Sequence, residues 1–249
     1  MEQTWSPTST APSPAARPTA AIVAWCVVAA AQIALAFSVT LLVTEGEVPS
    51  EGLYEYGTAI GGVFVYAFLL GLTVGIAALG GPLRETLGLR AFRARWFPIS
   101  LGIVIGVAVL AYLLAEVLGL DAGAEQGILP EEWRPERAGA IMANAFVIVV
   151  AAPVVEELFF RGAGVRLLQA FGPVVAIVVP GLAFGLAHGL LIGLLPLAVF
   201  GIGLAWVRLR AASVWPCVLA HMLYNGAVLG LGLACLSSPE CRPSLGCVL

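Results

Sequence analysis

The sequence has no lysine: all twelve basic residues are arginine. Charge of either sign is scarce, at 11% of 249 residues, while 60% are hydrophobic and mean hydropathy is +1.00. Soluble domains are nearer half apolar and a quarter charged, so this composition excludes one and indicates a polytopic membrane protein in a lipid bilayer. The net charge of −3 offers no basic surface for nucleic acid. An arginine-only basic set fits a GC-rich bacterial genome, and the expected location is the bacterial inner membrane. The five cysteines form no CxxC, and none pairs with histidine at zinc-finger spacing. Cys26 and Cys217 sit in apolar runs as small core residues. Cys235, Cys241 and Cys247 are spaced so that a disulfide could form if that tail meets an oxidising compartment. Cys247 is third from the end, so the chain carries no prenylation box of its own. HExxH is also missing.

Residues 1–19 are rich in Pro, Ser, Thr and Ala and are expected to be a disordered tail. They lack the basic start of a signal peptide, and the apolar run after them is too long for one. A membrane-crossing helix needs ~20 apolar residues. The candidates are 20–44, 57–80, 97–119, 138–166, 173–190, 191–207 and 212–236, with Gly189, Gly193 and Pro196 marking a turn in the long apolar stretch. The expected fold is all-α, a polytopic transmembrane helix bundle of about seven spans (six to eight). It occupies 20–236, and 237–249 form a tail. Arg84, Arg90, Arg93 and Arg95 cluster between spans two and three, which places that loop in the cytoplasm. Arg161, Arg166, Arg208 and Arg210 fall on the same side. Glu45, Glu47, Glu51 and Glu55 fall outside, as do Arg134 and Arg137 among five acids. The N-terminus is then cytoplasmic.

An ionisable side chain at the centre of a membrane helix costs ~2.5–3.5 kcal/mol on insertion scales. The few that lie in apolar runs are therefore paired or face a cavity. They are Glu116, Glu156, Glu157, Arg161, His188 and His221, with Asn144 and Asn225 as amides. Glu157 and Arg161 are four apart and share a helical face. Glu156 points ~100° away, without that partner. A bland reading makes the cluster a snorkelling helix end. His188 and His221 are the only histidines. His188 follows Phe184 by four residues, and Asn225 follows His221 by four. Each histidine alone reads as a satisfied core residue; together, each with a companion at helical spacing, they read as a site. Counting from the arginine side, Glu156 and His221 lie at similar depths, ~15 and ~16 Å, whereas His188 at ~22 Å is too deep unless its helix tilts or bends. Glu116 reaches the outer interface, and Asn144 makes an interhelical hydrogen bond.

Glu156-Glu157-x-x-x-Arg161, then Phe184-x-x-x-His188, then His221-x-x-x-Asn225, resemble in order and spacing the three motifs of the CPBP family, intramembrane endopeptidases of the CAAX-protease and bacteriocin-processing type. The resemblance covers about 138–230. It implies a helical bundle around a water-accessible cavity, with Glu156 activating water beside His188. His221 and Asn225 would hold the reacting carbonyl, and Glu157, Arg161 and Phe184 would support them. Hydrolysis asks for these types: a base for water, and donors aimed at the tetrahedral oxyanion. No cofactor is required on this reading. Zinc on Glu156, His188 and His221 is the open alternative.

The leading expectation is an intramembrane endopeptidase acting near the C-terminus of a membrane protein or peptide. Its substrate would be a prenylated tail, a precursor peptide, or a C-terminal sorting signal as for sortase-like members of the family. The rivals are a non-catalytic immunity or scaffold protein and a proton-coupled transporter. Oligomeric state is not legible.

Overall fold

The computed structural model describes residues 18–44, 51–118 and 133–236. In lipid, only elements that satisfy their own backbone can cross, and the apolar runs fold as helices. They are α1 (Pro18–Thr44), α2 (Tyr56–Gly80), α3 (Trp96–Leu118), α4 (Pro135–Phe171), α5 (Pro173–Leu186), α6 (Leu194–Ala211) and α7 (Trp215–Leu236). No strand occurs among the described residues. All but α5 are long and apolar enough to cross a membrane, so the chain is an integral membrane protein built as a helical bundle. Cys241 and Cys247 of the expected C-terminal bridge and most of the N-terminal tail lie outside the described residues, as does the side chain of Cys235; Cys26 and Cys217 are free thiols, Cys26 exposed and Cys217 buried.

The fifth span differs from expectation. Helix α5 has 14 residues, ~21 Å, short of the ~30 Å hydrocarbon thickness. It stops because Gly189 takes φ +68°, the left-handed conformation that ends helices at little cost to glycine. The turn that follows lies against α1, where Thr40 Oγ1 donates to the Gly189 carbonyl at 3.1 Å. A side chain at position 189 would meet the Ala36 backbone at 2.9 Å. Helices α5 and α6 pack closely because Gly181 and Gly185, four apart, leave room for the partner backbone. A Cβ on Gly181 would lie 2.6 Å from the Ile202 nitrogen.

Helix α4 is continuous over 37 residues but widens to π geometry at Val147–Ala151 and Leu158–Gly164. Pro153 explains the first segment. Its ring clashes with the carbonyl four residues back, and it has no N–H. The Ala152 N–H bonds the Val147 carbonyl. The Ile148 carbonyl would then look to residue 153, which has nothing to donate. Asn225 of α7 supplies the donor, with Nδ2 at 2.9 Å from that carbonyl. In the second segment the Phe159 carbonyl accepts the indole N–H of buried Trp25 of α1 at 3.0 Å.

The bundle has two chemically different ends. At one, Ser213 Oγ donates to the Arg90 carbonyl at 2.7 Å and the Val214 N–H to the Gly88 carbonyl at 3.1 Å. These bonds join the arginine-rich α2–α3 connection to the α6–α7 turn. At the other end, Arg134 pairs with Glu51 at 2.6 Å. There Asn144 Nδ2 donates to the Leu53 and Glu55 carbonyls at 3.1 and 3.0 Å, tying α4 to the segment before α2 rather than to another helix. Arg161 does not belong with the surface arginines. It is fully buried, because its charge is matched inside the bundle.

Candidate active site

Two adjacent glutamates on α4 have opposite surroundings. Glu157 is fully buried, and its Oε1 accepts from Arg161 Nη1 at 2.7 Å and His221 Nδ1 at 2.9 Å. The first bond is the i,i+4 pair read from spacing; the second crosses from α4 to α7. Glu156, one residue earlier and so rotated by ~100°, is only partly buried and accepts from the Tyr66 hydroxyl of α2 at 2.8 Å. No cation bonds it among the described contacts.

The two histidines come to one place. Phe184, fully buried on α5, has its ring centroid 4.6 Å from that of His188 and 5.7 Å from that of His221. The Arg161 guanidinium sits 4.1 Å over the same ring, a cation–π contact that helps hold a desolvated charge. Phe200 and Phe160 close round it, at 5.4 and 5.5 Å from Phe184. Glu156 and His221 are electrostatic neighbours of His188. His188, in the turn just after α5, thus shares a ring neighbour with His221, although a count along straight helices set the two at different depths.

Hydrogen bonds fix which ring nitrogens remain for chemistry. His188 Nδ1 lies 2.8 Å from the Phe184 carbonyl. A carbonyl only accepts, so Nδ1 carries the proton and Nε2 of the neutral ring keeps a lone pair. His221 Nδ1 faces a carboxylate, so it too is the protonated nitrogen. Its Nε2 accepts in the neutral ring and donates in the doubly protonated one. One Asn225 N–H serves Ile148, and an amide has a second. Among the described residues, Glu157 Oε2 and Arg161 Nε and Nη2 are buried without hydrogen-bond partners.

Glu156, His188 and His221, the possible zinc ligands, are not gathered as one group, and no three His, Cys, Asp or Glu side chains among the described residues are so disposed. Spacing had no means of finding Tyr66, Trp25 or Thr40, which are ordinary members of apolar runs on α1 and α2. Glu116 lies exposed near the end of α3, away from this cluster.

No curated protein and no solved structure gives a significant match to the chain. A family model does match, over residues 138–227, and its description is Type II CAAX prenyl endopeptidase Rce1-like. That stretch contains Glu156, Glu157, Arg161, Phe184, His188, His221 and Asn225. Over this segment, well under half of the chain, the sequence is similar to that family of membrane endopeptidases.

Proposed function

We propose that the chain hydrolyses a peptide bond near the C-terminus of a membrane protein or peptide, with water activated by Glu156. One observation carries this reading: of two neighbouring carboxylates, Glu157 is neutralised by Arg161 inside the core, while Glu156 is left without a cation next to His188. Glu156 Oε1 is held by Tyr66, so Oε2 is the oxygen available to take a proton from water. His188 Nε2 accepts the second water hydrogen and orients it. Attack on the scissile carbonyl puts negative charge on its oxygen. The doubly protonated His221, through Nε2–H, and the second N–H of Asn225 receive that charge. Glu157 Oε1, accepting from Nδ1, holds the ring in place. The proton on Glu156 then passes to the leaving amine, which restores the site. Donors that act only on the developing oxyanion supply rate, not ground-state binding. The site residues themselves do this chemistry without a metal. Stoichiometric zinc in active protein, lost with activity on chelation and regained with it, would replace this step with a metal-bound one.

The arginine-rich end is cytoplasmic on this reading, the N-terminus lies with it, and the membrane is the bacterial inner membrane. The decisive experiment compares membrane-protein C-termini by mass spectrometry. A deletion strain carries either the wild-type chain or Glu156→Ala at matched expression. Defined C-terminal segments retained only in the mutant establish the protease. Their chemistry also tells a lipidated tail from a precursor peptide or a sorting signal. Identical C-termini in both strains overturn it in favour of a non-catalytic immunity or scaffold role.

A further inference from the structure

We infer that Tyr66, on a helix outside the family-matched segment, is a positioning residue that sets the orientation of the Glu156 carboxylate. The inference deepens the reading of Glu156 as the base and rests on it. The geometry has two parts on one face of α2. Gly62 and Tyr66 are four apart and so lie one above the other. Gly62 meets the first π segment of α4. A Cβ there would lie 2.8 Å from Val147 Cγ1, so only glycine lets α2 come this close without displacing Val147. One turn further along, the Tyr66 hydroxyl reaches Glu156 Oε1 at 2.8 Å. Below it, Leu69 and Thr73 are buried, and Thr73 Oγ1 donates back to the Leu69 carbonyl at 2.7 Å. The phenol is thus mounted on a well-packed stretch of helix.

A glutamate side chain has three rotatable bonds before its carboxylate, and an unpinned one samples several rotamers. Glu157 is pinned by two partners within the matched segment and α7. Glu156 has no such partner there; its hydrogen bond comes from α2. A phenol has one proton to give, and an ionised carboxylate can only accept. The bond therefore fixes Oε1 and leaves Oε2 as the oxygen not engaged by the phenol. Trp25 of α1 supports the same helix from behind, through the Phe159 carbonyl, but touches neither glutamate in the described bonds. Among the described hydrogen bonds, Tyr66 alone links the N-terminal helices to the reacting carboxylate.

The test uses the full chain and two readouts. The first is infrared difference spectroscopy of purified protein with ¹³C-labelled glutamate. Tyr66→Phe shifts a carboxylate band in the wild-type background and shifts none in a Glu156→Gln background. Identical spectra in the wild-type background overturn the inference. The second is the rate at which C-terminal segments are lost in pulse-labelled cells. A hydrogen bond to a charged group is worth ~1.5–3 kcal/mol, so Tyr66→Phe slows cleavage by roughly 10- to 100-fold at equal amounts of folded chain. Tyr112→Phe, a control on exposed α3 surface, leaves the rate unchanged. If Glu156→Gln cleaves normally, the base assignment fails while the infrared result still judges the hydrogen bond. If Glu156→Gln is inactive and Tyr66→Phe cleaves like wild type, the positioning role alone fails. Should Tyr66→Phe not accumulate, 3-fluorotyrosine at position 66 keeps shape and hydroxyl while strengthening the donor. Its carboxylate band must then move from the wild-type position, and an unmoved band overturns the inference.

Discussion

Glu157 and Arg161 are a buried ion pair with loose ends: Oε2 on one partner, Nε and Nη2 on the other, all without hydrogen bonds among the described residues. Such a pair adds little net stability, because desolvating both charges offsets their attraction. Removing one partner is a different matter, since it strands the other. Glu157→Leu leaves the Arg161 guanidinium in the core with only the faces of Phe184 and Phe200, at 4.1 and 5.7 Å, beside it. That single change is expected to destabilise the chain by ~3–5 kcal/mol. Glu157→Leu with Arg161→Leu should cost clearly less than the single change, because no charge is stranded. Cleavage should stay lost in both, since His221 Nδ1 loses its carboxylate. Thermal unfolding in detergent, read beside C-terminal processing, separates the two effects. A double variant less stable than Glu157→Leu would mean that the pair is a net stabiliser. Phe184 is the other residue on which the site converges. Phe184→Ala removes the ring shared by both histidines and Arg161, and a cost of ~3–5 kcal/mol is expected for so large a buried deletion. Phe184→Leu should recover most of the stability and little of the activity, because it fills volume without giving Arg161 an aromatic face.

At the scale of elements, α4 couples backbone irregularity to the site. Pro153 leaves the Ile148 carbonyl without a helical donor, and Asn225 spends one N–H there. Asn225→Ala should therefore cost ~1–3 kcal/mol, the range for a stranded buried acceptor, in addition to its effect on cleavage. Pro153→Ala gives residue 153 an N–H again. Placed in the Asn225→Ala background, it should recover much of that stability while leaving cleavage low. Simple additivity of the two changes in unfolding experiments would refute the coupling. The same elements show what was legible in the sequence. The i,i+4 pair, the two histidine motifs and the Gly189 turn were readable because they depend on spacing of 3.6 residues per turn and on a left-handed position that suits glycine. Pro153 stood in plain view, but its result is a π segment, and a constant helical period cannot express one. Depth counted along straight helices separated His188 from His221, whereas both rings meet Phe184. Tyr66, Trp25 and Thr40 were invisible because each acts across 90 or more positions of sequence, and nothing in an apolar run marks one aromatic or hydroxyl for such a task.

For the whole molecule, the charges sort between the two ends of the bundle, and that sorting carries a prediction about orientation. Arg84, Arg90, Arg93 and Arg95 lie in the connection that Ser213 and Val214 bind, so Arg208 and Arg210 at the end of α6 share its level. Ala21 of α1 approaches Gly80 there as well, which places the start of α1 at the arginine-rich end. The opposite end holds Glu51, Glu55 and Glu136, with Arg134 neutralised by Glu51. Arginine near helix ends is retained in the cytoplasm, and acids contribute little to this bias. Burial refines the tally. Arg161 and Arg208 are almost wholly buried, so the orientation rests on the exposed arginines of the α2–α3 connection with Arg166 and Arg210. The expected arrangement has the start of α1 in the cytoplasm and the end of α7 outside. A topology reporter fused after Leu249 should then be active only outside the cytoplasm, and one inserted after Ala94 only inside. Replacing Arg90, Arg93 and Arg95 together with glutamine should weaken the bias and give a mixed signal from both reporters. A cytoplasmic signal at Leu249 in the wild-type chain would invert the bundle, and the acidic end would then face the cytoplasm.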